Sequence, residues 1–382
     1  MVAEVAARFQ TAYGRDPDSV VSAPGRVNLM GEHTDYNGGL CLPIAIPHST
    51  WVAVGSRSDD VLAIASTSQQ GTFRAAIGDL RPGSMKGWTA YAAGVPWAAR
   101  EAGIPVHGMD LMVHGSVPLG AGLSSSASLE CAIALAGCEV AGLALDDALR
   151  QRLVEVCSRA EREMAGAPTG GMDQTASLLA RAGHALLLDC RDGSVEHVPW
   201  DPSLQGVELV VVDTRAAHSL SDGAYGSRRE ECQQAAAQLG AALLRDVTAL
   251  SLSKASLPPT TRRRARHVLS EIDRVTEAVA AIRAGDLPAL GEVFDRSHAS
   301  LRDDFEVSCA ELDMVCDTAR RAGALGARMT GGGFGGSAIA LAPRDRVDEI
   351  RAEIADAFSA QGWRRPGFLR AEASERAHKV RV

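Results

Sequence analysis

Pro118-Leu119-Gly120-Ala121-Gly122-Leu123-Ser124-Ser125-Ser126-Ala127-Ser128 joins two periodic stretches of the chain. Upstream, GMDLMVHGSVP (108–118) alternates like a strand; downstream, the spacing predicts helices over 126–142 and 146–165. Glycines let the backbone curl with its N–H groups inward, and a helix N-terminus follows directly, an arrangement that binds phosphate through backbone donors and the helix dipole. The serines can cap the helix or turn a hydroxyl to a metal ion. A flexible linker is the alternative, and the apolar stripe of Leu129, Ile133, Ala136 and Val140 abutting the loop argues against it. The chain's lysines are Lys86, Lys254 and Lys379, none beside this loop, so a Gly-Lys-Ser/Thr phosphate loop is excluded.

Outward from that loop, strands and helices mix along the whole chain. A helix is expected over 3–13, a strand over 19–29, short strands within 40–66 and a helix over 86–103. HALLLDC (184–190) and VELVVVDT (207–214) read as apolar strands. The remainder is mostly helical up to ALGARMTGGGFGGSAIALAP, which reads strand, glycine loop, strand, before a last helix near 345–359. The class is α/β (α+β), and 382 residues exceed one ordinary core, so two lobes are expected, 1–175 and 176–382.

Composition removes several functions. A net charge of −8 gives no support to binding nucleic acid or an anionic membrane. The basic run Arg262-Arg263-Arg264 with Arg266 follows Pro258-Pro259 and reads as a solvated loop leading into a helix. Eight cysteines without a CxxC pair suggest reduced thiols and a cytoplasmic protein, and ten histidines show no metal spacing. Glu4 and Arg8 interrupt the N-terminal segment, which reads as an amphipathic helix rather than a signal peptide. The longest apolar stretch, 129–145, contains Glu130 and Glu139, so no membrane span is expected.

Four further segments can carry chemistry. PGRVNLMGEHTDYNGG (24–39) packs Arg26, Asn28, Glu32, His33 and Asp35 between a strand and a glycine turn. Carboxylates there would accept hydrogen bonds from sugar hydroxyls, although turn chemistry alone also explains Asp35 to Gly38. On the 146–165 helix, Glu161 falls on the apolar stripe of Leu149, Leu153, Cys157, Ala160 and Met164, while Arg159, Arg162 and Glu163 point elsewhere. A carboxylate on a buried face must find a cation or protonate. Magnesium shared with nucleotide phosphates would meet that need, and so would an arginine partner at the edge of the stripe. GAPTGGMDQ (166–174) delivers Asp173 to a helix start, as a cap or as a base near a hydroxyl and a γ-phosphate. MTGGGFGGS (329–337) contains GxGxxG but precedes a strand, so it is no dinucleotide fingerprint; a turn allowing another backbone or a ligand to come close fits better.

In order, these segments resemble the three signatures of the GHMP small-molecule kinases, and GRVNLMGEHTDYNGG resembles the galactokinase branch. GGMDQ, HSLSDGAYGSRREEC (218–232) and SHASLRDDFEVSCAELD (297–313) support that likeness, which spans about residues 20–340. It implies a two-lobed GHMP fold, with an N-terminal lobe like the second domain of ribosomal S5 and a ferredoxin-like C-terminal lobe. By position it implies that Arg26 stabilises the transferring phosphoryl group and Asp173 takes or orients the proton of the C1 hydroxyl. Glu32, His33, Thr34, Asp35, Gly170 and Tyr225 would bind galactose. Gly120, Ala121, Gly122, Leu123, Ser124, Ser125 and Ser126 would wrap the ATP phosphates, with Ser126 and Glu161 holding Mg2+. A monomer is expected, although the sequence does not fix oligomeric state. Gly171 stands where this branch usually has a branched residue, which loosens the expected stringency for the sugar. A kinase for a related sugar, or a galactose sensor that has lost catalysis, are the competing readings; the intact serine loop speaks against the sensor.

Overall fold

A computed structural model describes residues 1–167, 169–216 and 221–380. Pro168, in the loop before Asp173, and the 218–220 start of the 218–232 match lie outside the described residues. Among the described residues three sheets form. The first holds β1 (Ser19–Asn28), β3 (Pro43–Ser56), β4 (Val61–Ser66), β5 (Gln69–Ala76), β6 (Met109–Gly115) and β13 (His378–Val380), in the order β13-β1-β3-β6-β4-β5. The second runs β10-β11-β9-β12, from β9 (Val207–Asp213), β10 (Gly326–Thr330), β11 (Ser337–Pro343) and β12 (Gly367–Ala371). The third pairs β2 (Leu40–Cys41) with β7 (His184–Asp189) and β7 with β8 (Ser194–Pro199). All these pairings are antiparallel except β4 with β6.

Helices α2 (Trp88–Glu101), α3 (Ser125–Val140), α4 (Asp147–Arg159) and α5 (Met172–Leu179) share one core with the first sheet. A second core lies between the β9–β12 sheet and α6 (Ser221–Gln238), α8 (Pro259–Ala284), α10 (Ala310–Arg321) and α11 (Val347–Ala360). A third cluster, with Val27, Leu29 and Ile44 on one side and Val275, Phe294 and Ile339 on the other, joins the lobes. Along this third cluster α9 (Leu287–Ser300) meets β10 with nothing between the backbones: a Cβ on Gly291 would sit 2.1 Å from the Leu325 carbonyl. No described helix is long and apolar enough to cross a membrane.

Most sequence expectations for individual elements hold within a few residues, and two need correction. The arginine run is no solvated loop: α8 begins at Pro259, so the run forms its first turns. Arg264 is only 2% exposed and donates to Glu231, Glu306 and the Asp304 carbonyl, because an acidic wall faces it. Helix α3 lacks the open polar face its stripe suggested, since residues on both sides of it, Glu130 included, are buried. Placed between the sheet and α2, α4 and α5, it is mostly buried, with Ser125, Ser126, Leu129, Gly137, Glu139 and Val140 partly exposed.

Candidate active site

Strand β1 breaks register against β3 between Pro24 and Arg26. The irregularity falls at Gly25, where a Cβ would stand 2.6 Å from the Leu123 carbonyl, so only glycine lets the 118–128 loop approach. Next to it, the Arg26 amide donates to that same carbonyl at 3.1 Å. The Arg26 guanidinium turns into the cleft: Nη1 donates to the Gly122 carbonyl at 2.6 Å, Nε to Asp173 Oδ1 at 2.9 Å and Nη2 to Asp173 Oδ2 at 3.1 Å. Burial alone would lower the Arg26 pKa, but the charges of Asp173 and Glu32 carry it upward. Ser124, held in the left-handed region at φ 59°, also donates its hydroxyl to Asp173.

One cavity of about 260 Å3 gathers the predicted groups: Arg26, Glu32, His33, Asp35, Asp173 and Tyr225 line it with Gly120, Gly122 and the run Leu123 to Ser126. Thr169, Gly171, Met172, Gly331 and Gly332 complete the wall. Gly120 and Gly122 take positive φ, and α3 starts at Ser125, so a glycine turn runs directly into a helix N-terminus at the cavity wall. Ala121 faces the other way: its carbonyl accepts from Ser337 Oγ at 2.7 Å. The 329–337 turn is thus the backbone that comes close, and a Cβ on Gly331 would lie 2.9 Å from the Gly122 carbonyl.

The residues of the 24–39 segment have different surroundings. Glu32 is 2% exposed; its Oε1 accepts from the Gly331 amide at 2.9 Å and from Thr330 Oγ1 at 3.1 Å. Burial pushes its carboxyl above the usual range, with Arg328 and Arg26 opposing. His33, at φ 63°, lies against Tyr225 and Phe305, with Tyr36 OH 2.9 Å from Nδ1. Burial drives its pKa down to about 3, so the ring is neutral and acts as a hydrogen-bonding, stacking surface. Asp35 accepts from the Gly170 amide at 3.1 Å, and burial lifts its pKa to about 6. A Cβ on Gly170 would strike Asp35 Oδ2 at 2.4 Å. Thr34 does not line the cavity: its hydroxyl is spent on the Gly31 and Leu40 carbonyls, which shapes the loop instead.

Glu161 sits behind the cavity wall, 4% exposed, where α4 widens into a π turn over Ala160–Ala165. Such turns redirect side chains at functional sites. The alternative partner expected from sequence is absent: no arginine or lysine among the described residues pairs with Glu161, while Arg159 and Arg162 pair with Glu163 and Glu155. Thr169 Oγ1 and Gln174 Nε2 donate to its Oε2 at 2.6 and 2.7 Å. Burial pushes its carboxyl up, with hydrogen bonds from Thr169, Gln174 and Ser126 opposing. A buried carboxylate and a serine hydroxyl are hard oxygen donors without a protein counter-charge, and such a pair fits Mg2+. Sequence reasoning missed Glu130 and Gln174, both fully buried beside Glu161. The stripe argument applied to Glu161 would have found Glu130, a carboxylate inside an apolar helix.

Known proteins resemble this chain along nearly its whole length. Family models match the galactokinase galactose-binding signature at residues 7–56, the GHMP kinase N-terminal domain at 90–181 and the GHMP kinase C-terminal domain at 278–360. A galactokinase of Streptomyces coelicolor is 48% identical over 381 residues, covering 98% of both chains. One of Mycobacterium tuberculosis is 43% identical, covering 94% of this chain and 98% of its own. The solved structure of Lactococcus lactis galactokinase complexed with galactose superposes with a TM-score of 0.93 at 31% identity, covering 99% of this chain and 100% of that one. Methanococcus jannaschii mevalonate kinase shares the fold alone, at TM-score 0.68 and 15% identity, over 93% of this chain and 98% of its own.

Proposed function

The chain belongs to the galactokinase family of GHMP kinases, and from that premise we propose that it transfers the ATP γ-phosphoryl group to the C1 hydroxyl of D-galactose. The products are galactose 1-phosphate and ADP, the first committed step of galactose catabolism by the Leloir pathway. The observation that carries this reading is the Arg26–Asp173 pair, set between the sugar loop and the phosphate loop in one cavity.

Each group then has a task that suits its surroundings. Glu32, His33, Asp35 and Tyr225 hold the sugar, with Gly170 fixing Asp35 and Thr34 fixing the loop. Asp173 takes or orients the C1 proton, its two oxygens already aimed by Arg26 and Ser124. Arg26 is tethered to the phosphate loop through Gly122 and supplies positive charge where the phosphoryl group passes. The loop from Gly120 to Ser126 receives the ATP phosphates. Ser126 and Glu161 would hold Mg2+, which neutralises phosphate charge when bound. Because both substrates are positioned by preset groups, little beyond alignment and charge neutralisation is required of the protein.

An ADP-release assay across a panel of monosaccharides tests the proposal. Galactose should give the highest kcat/KM and glucose a far lower one, since a site built to bond a hydroxyl rejects an analogue that misplaces it. A better rate with glucose, or with mevalonate, overturns it.

A further inference from the structure

Gln174 follows Asp173 on α5 and is wholly buried. A side-chain amide carries two hydrogens to donate, and the Gln174 nitrogen reaches two carboxylates on two other elements. It stands 2.9 Å from Glu130 Oε2, on α3, and 2.7 Å from Glu161 Oε2, in the π turn after α4. Three elements therefore meet at one amide: the phosphate-loop helix, the turn bearing Glu161, and the helix bearing Asp173.

Glu130 makes this arrangement costly to keep for packing alone. It is 0% exposed on a helix whose other buried residues are mostly Ala, Cys, Ile and Leu, and among the described residues no ion pair reaches it. A buried carboxyl with so few partners destabilises a fold, and leucine would fill the site without that cost. Its Oε1 and the Gln174 Oε1 both lack hydrogen-bond partners. What the carboxyl does have is the Gln174 amide, and that amide has Glu161. To the same Glu161 oxygen, Thr169 Oγ1 donates at 2.6 Å. Glu161 Oε2 thus accepts from two donors, which restrains a side chain with three rotatable bonds.

We propose that Gln174 is a positioning residue for phosphoryl transfer, holding the Glu161 carboxylate against the phosphate-loop helix through Glu130. The inference rests on the reading of Glu161 as the metal carboxylate. Groups that orient a metal ligand from behind commonly change metal affinity by roughly 10–100-fold when removed.

The test uses the full chain and Mn2+ as probe, reading free Mn2+ by electron paramagnetic resonance in the presence of a non-hydrolysable ATP analogue. Gln174→Leu alone strands Glu130, so it is paired with Gln174→Leu/Glu130→Leu, which removes both polar partners and protects the fold. The double variant should bind Mn2+ about 10-fold or more weakly and need correspondingly more Mg2+ for half-maximal rate. Galactose affinity by calorimetry should stay within about 3-fold, since Glu32, His33 and Asp35 are untouched. Glu130→Gln keeps an acceptor for the amide and should recover most of the metal affinity that Glu130→Leu loses. If the double variant matches wild type in Mn2+ binding while Glu161→Gln does not, Gln174 has no positioning role and the metal reading stands. If Glu161→Gln also binds Mn2+ normally, the metal reading fails and this inference falls with it.

Discussion

Asp173→Asn is the perturbation that separates chemistry from architecture most sharply. In the native site Oδ1 accepts from Arg26 Nε, and Oδ2 accepts from Arg26 Nη2 and Ser124 Oγ. An asparagine must turn its NH2 toward one of those donors, so at least one bond becomes a donor–donor contact. Arg26, 6% exposed, also loses its counter-charge. Removing one partner of a buried pair costs roughly 3–5 kcal/mol. Asp173 keeps 19% of its side-chain surface and Arg26 keeps the Gly122 carbonyl, so about 2–3 kcal/mol is expected here. That loss reads out as a lower melting temperature in a protein that still folds. Turnover should fall far more than stability alone explains, by roughly 10²–10⁴-fold in the ADP-release assay at saturating galactose and ATP. Galactose affinity by calorimetry should move little, because the sugar loop is intact. Arg26→Ala and the double variant complete the cycle. Two groups acting as one unit give a double no slower than the worse single, whereas independent groups multiply their losses. A well-folded Asp173→Asn protein with near-normal turnover, beside a dead Arg26→Ala, would refute the role given to Asp173.

Glu161→Gln should raise the Mg2+ concentration for half-maximal rate by about tenfold or more, and an unchanged Mg2+ titration would return Glu161 to a purely structural place. Asp35 sets a pH dependence: burial, reinforced by the charge of Asp173, lifts its carboxyl from 3.8 to about 6. Its folded pKa being raised, the ionised form costs stability above pH 6 and costs none below 3.8, so this group favours the fold as pH falls. Galactose binding runs the opposite way, because the accepting carboxylate is lost below pH 6; kcat/KM should drop about tenfold from its plateau by pH 5. Asp35→Asn should abolish that acid limb, and a wild-type profile flat to pH 5 would contradict the assignment. Arg264→Leu strands Glu231 and Glu306, both partly exposed, so a loss of about 1–3 kcal/mol is expected by denaturant titration with galactose affinity nearly unchanged.

The local code of this chain was legible wherever one periodicity or one loop chemistry dominated. The 118–128 loop announced itself because glycines, serines and a helix start coincide, and Glu161 because a single carboxylate interrupts an apolar stripe. Less legible were features that depend on what another element brings. The arginine run looked solvated because its partners, Glu231, Asp304 and Glu306, lie 33 to 43 residues away. The strands at 69–76, 194–199, 367–371 and 378–380 carry too few apolar residues to signal themselves; they exist because an edge was available to pair with. Thr34 illustrates the limit within a motif, since a hydroxyl beside cavity-lining residues can serve the loop's own carbonyls instead.

That limit bears on how the sugar site is held. The amides of Gly31 and Glu32 donate to Glu271 on α8, at 3.2 and 3.3 Å, so the loop's backbone is anchored by the other lobe. Burial opposes ionisation of Glu271, yet the cations Arg274 and Arg328 overcome it and bring its pKa down to about 2. Arg328, itself fully buried, lies within 3.6 Å of both Glu271 and Glu32 and donates to the Leu29 carbonyl at 2.8 Å. Glu32 returns the link through the Gly331 amide, in the same turn that packs on the phosphate loop. Sugar loop, phosphate loop and third glycine motif thus share one set of buried contacts that spans the two lobes. Under the proposed function, these contacts would tie the sugar carboxylates to the phosphate loop and so favour alignment of hydroxyl and γ-phosphate. In a reaction that depends on alignment to within about an ångström, a rigid bridge of buried charge is worth its desolvation cost.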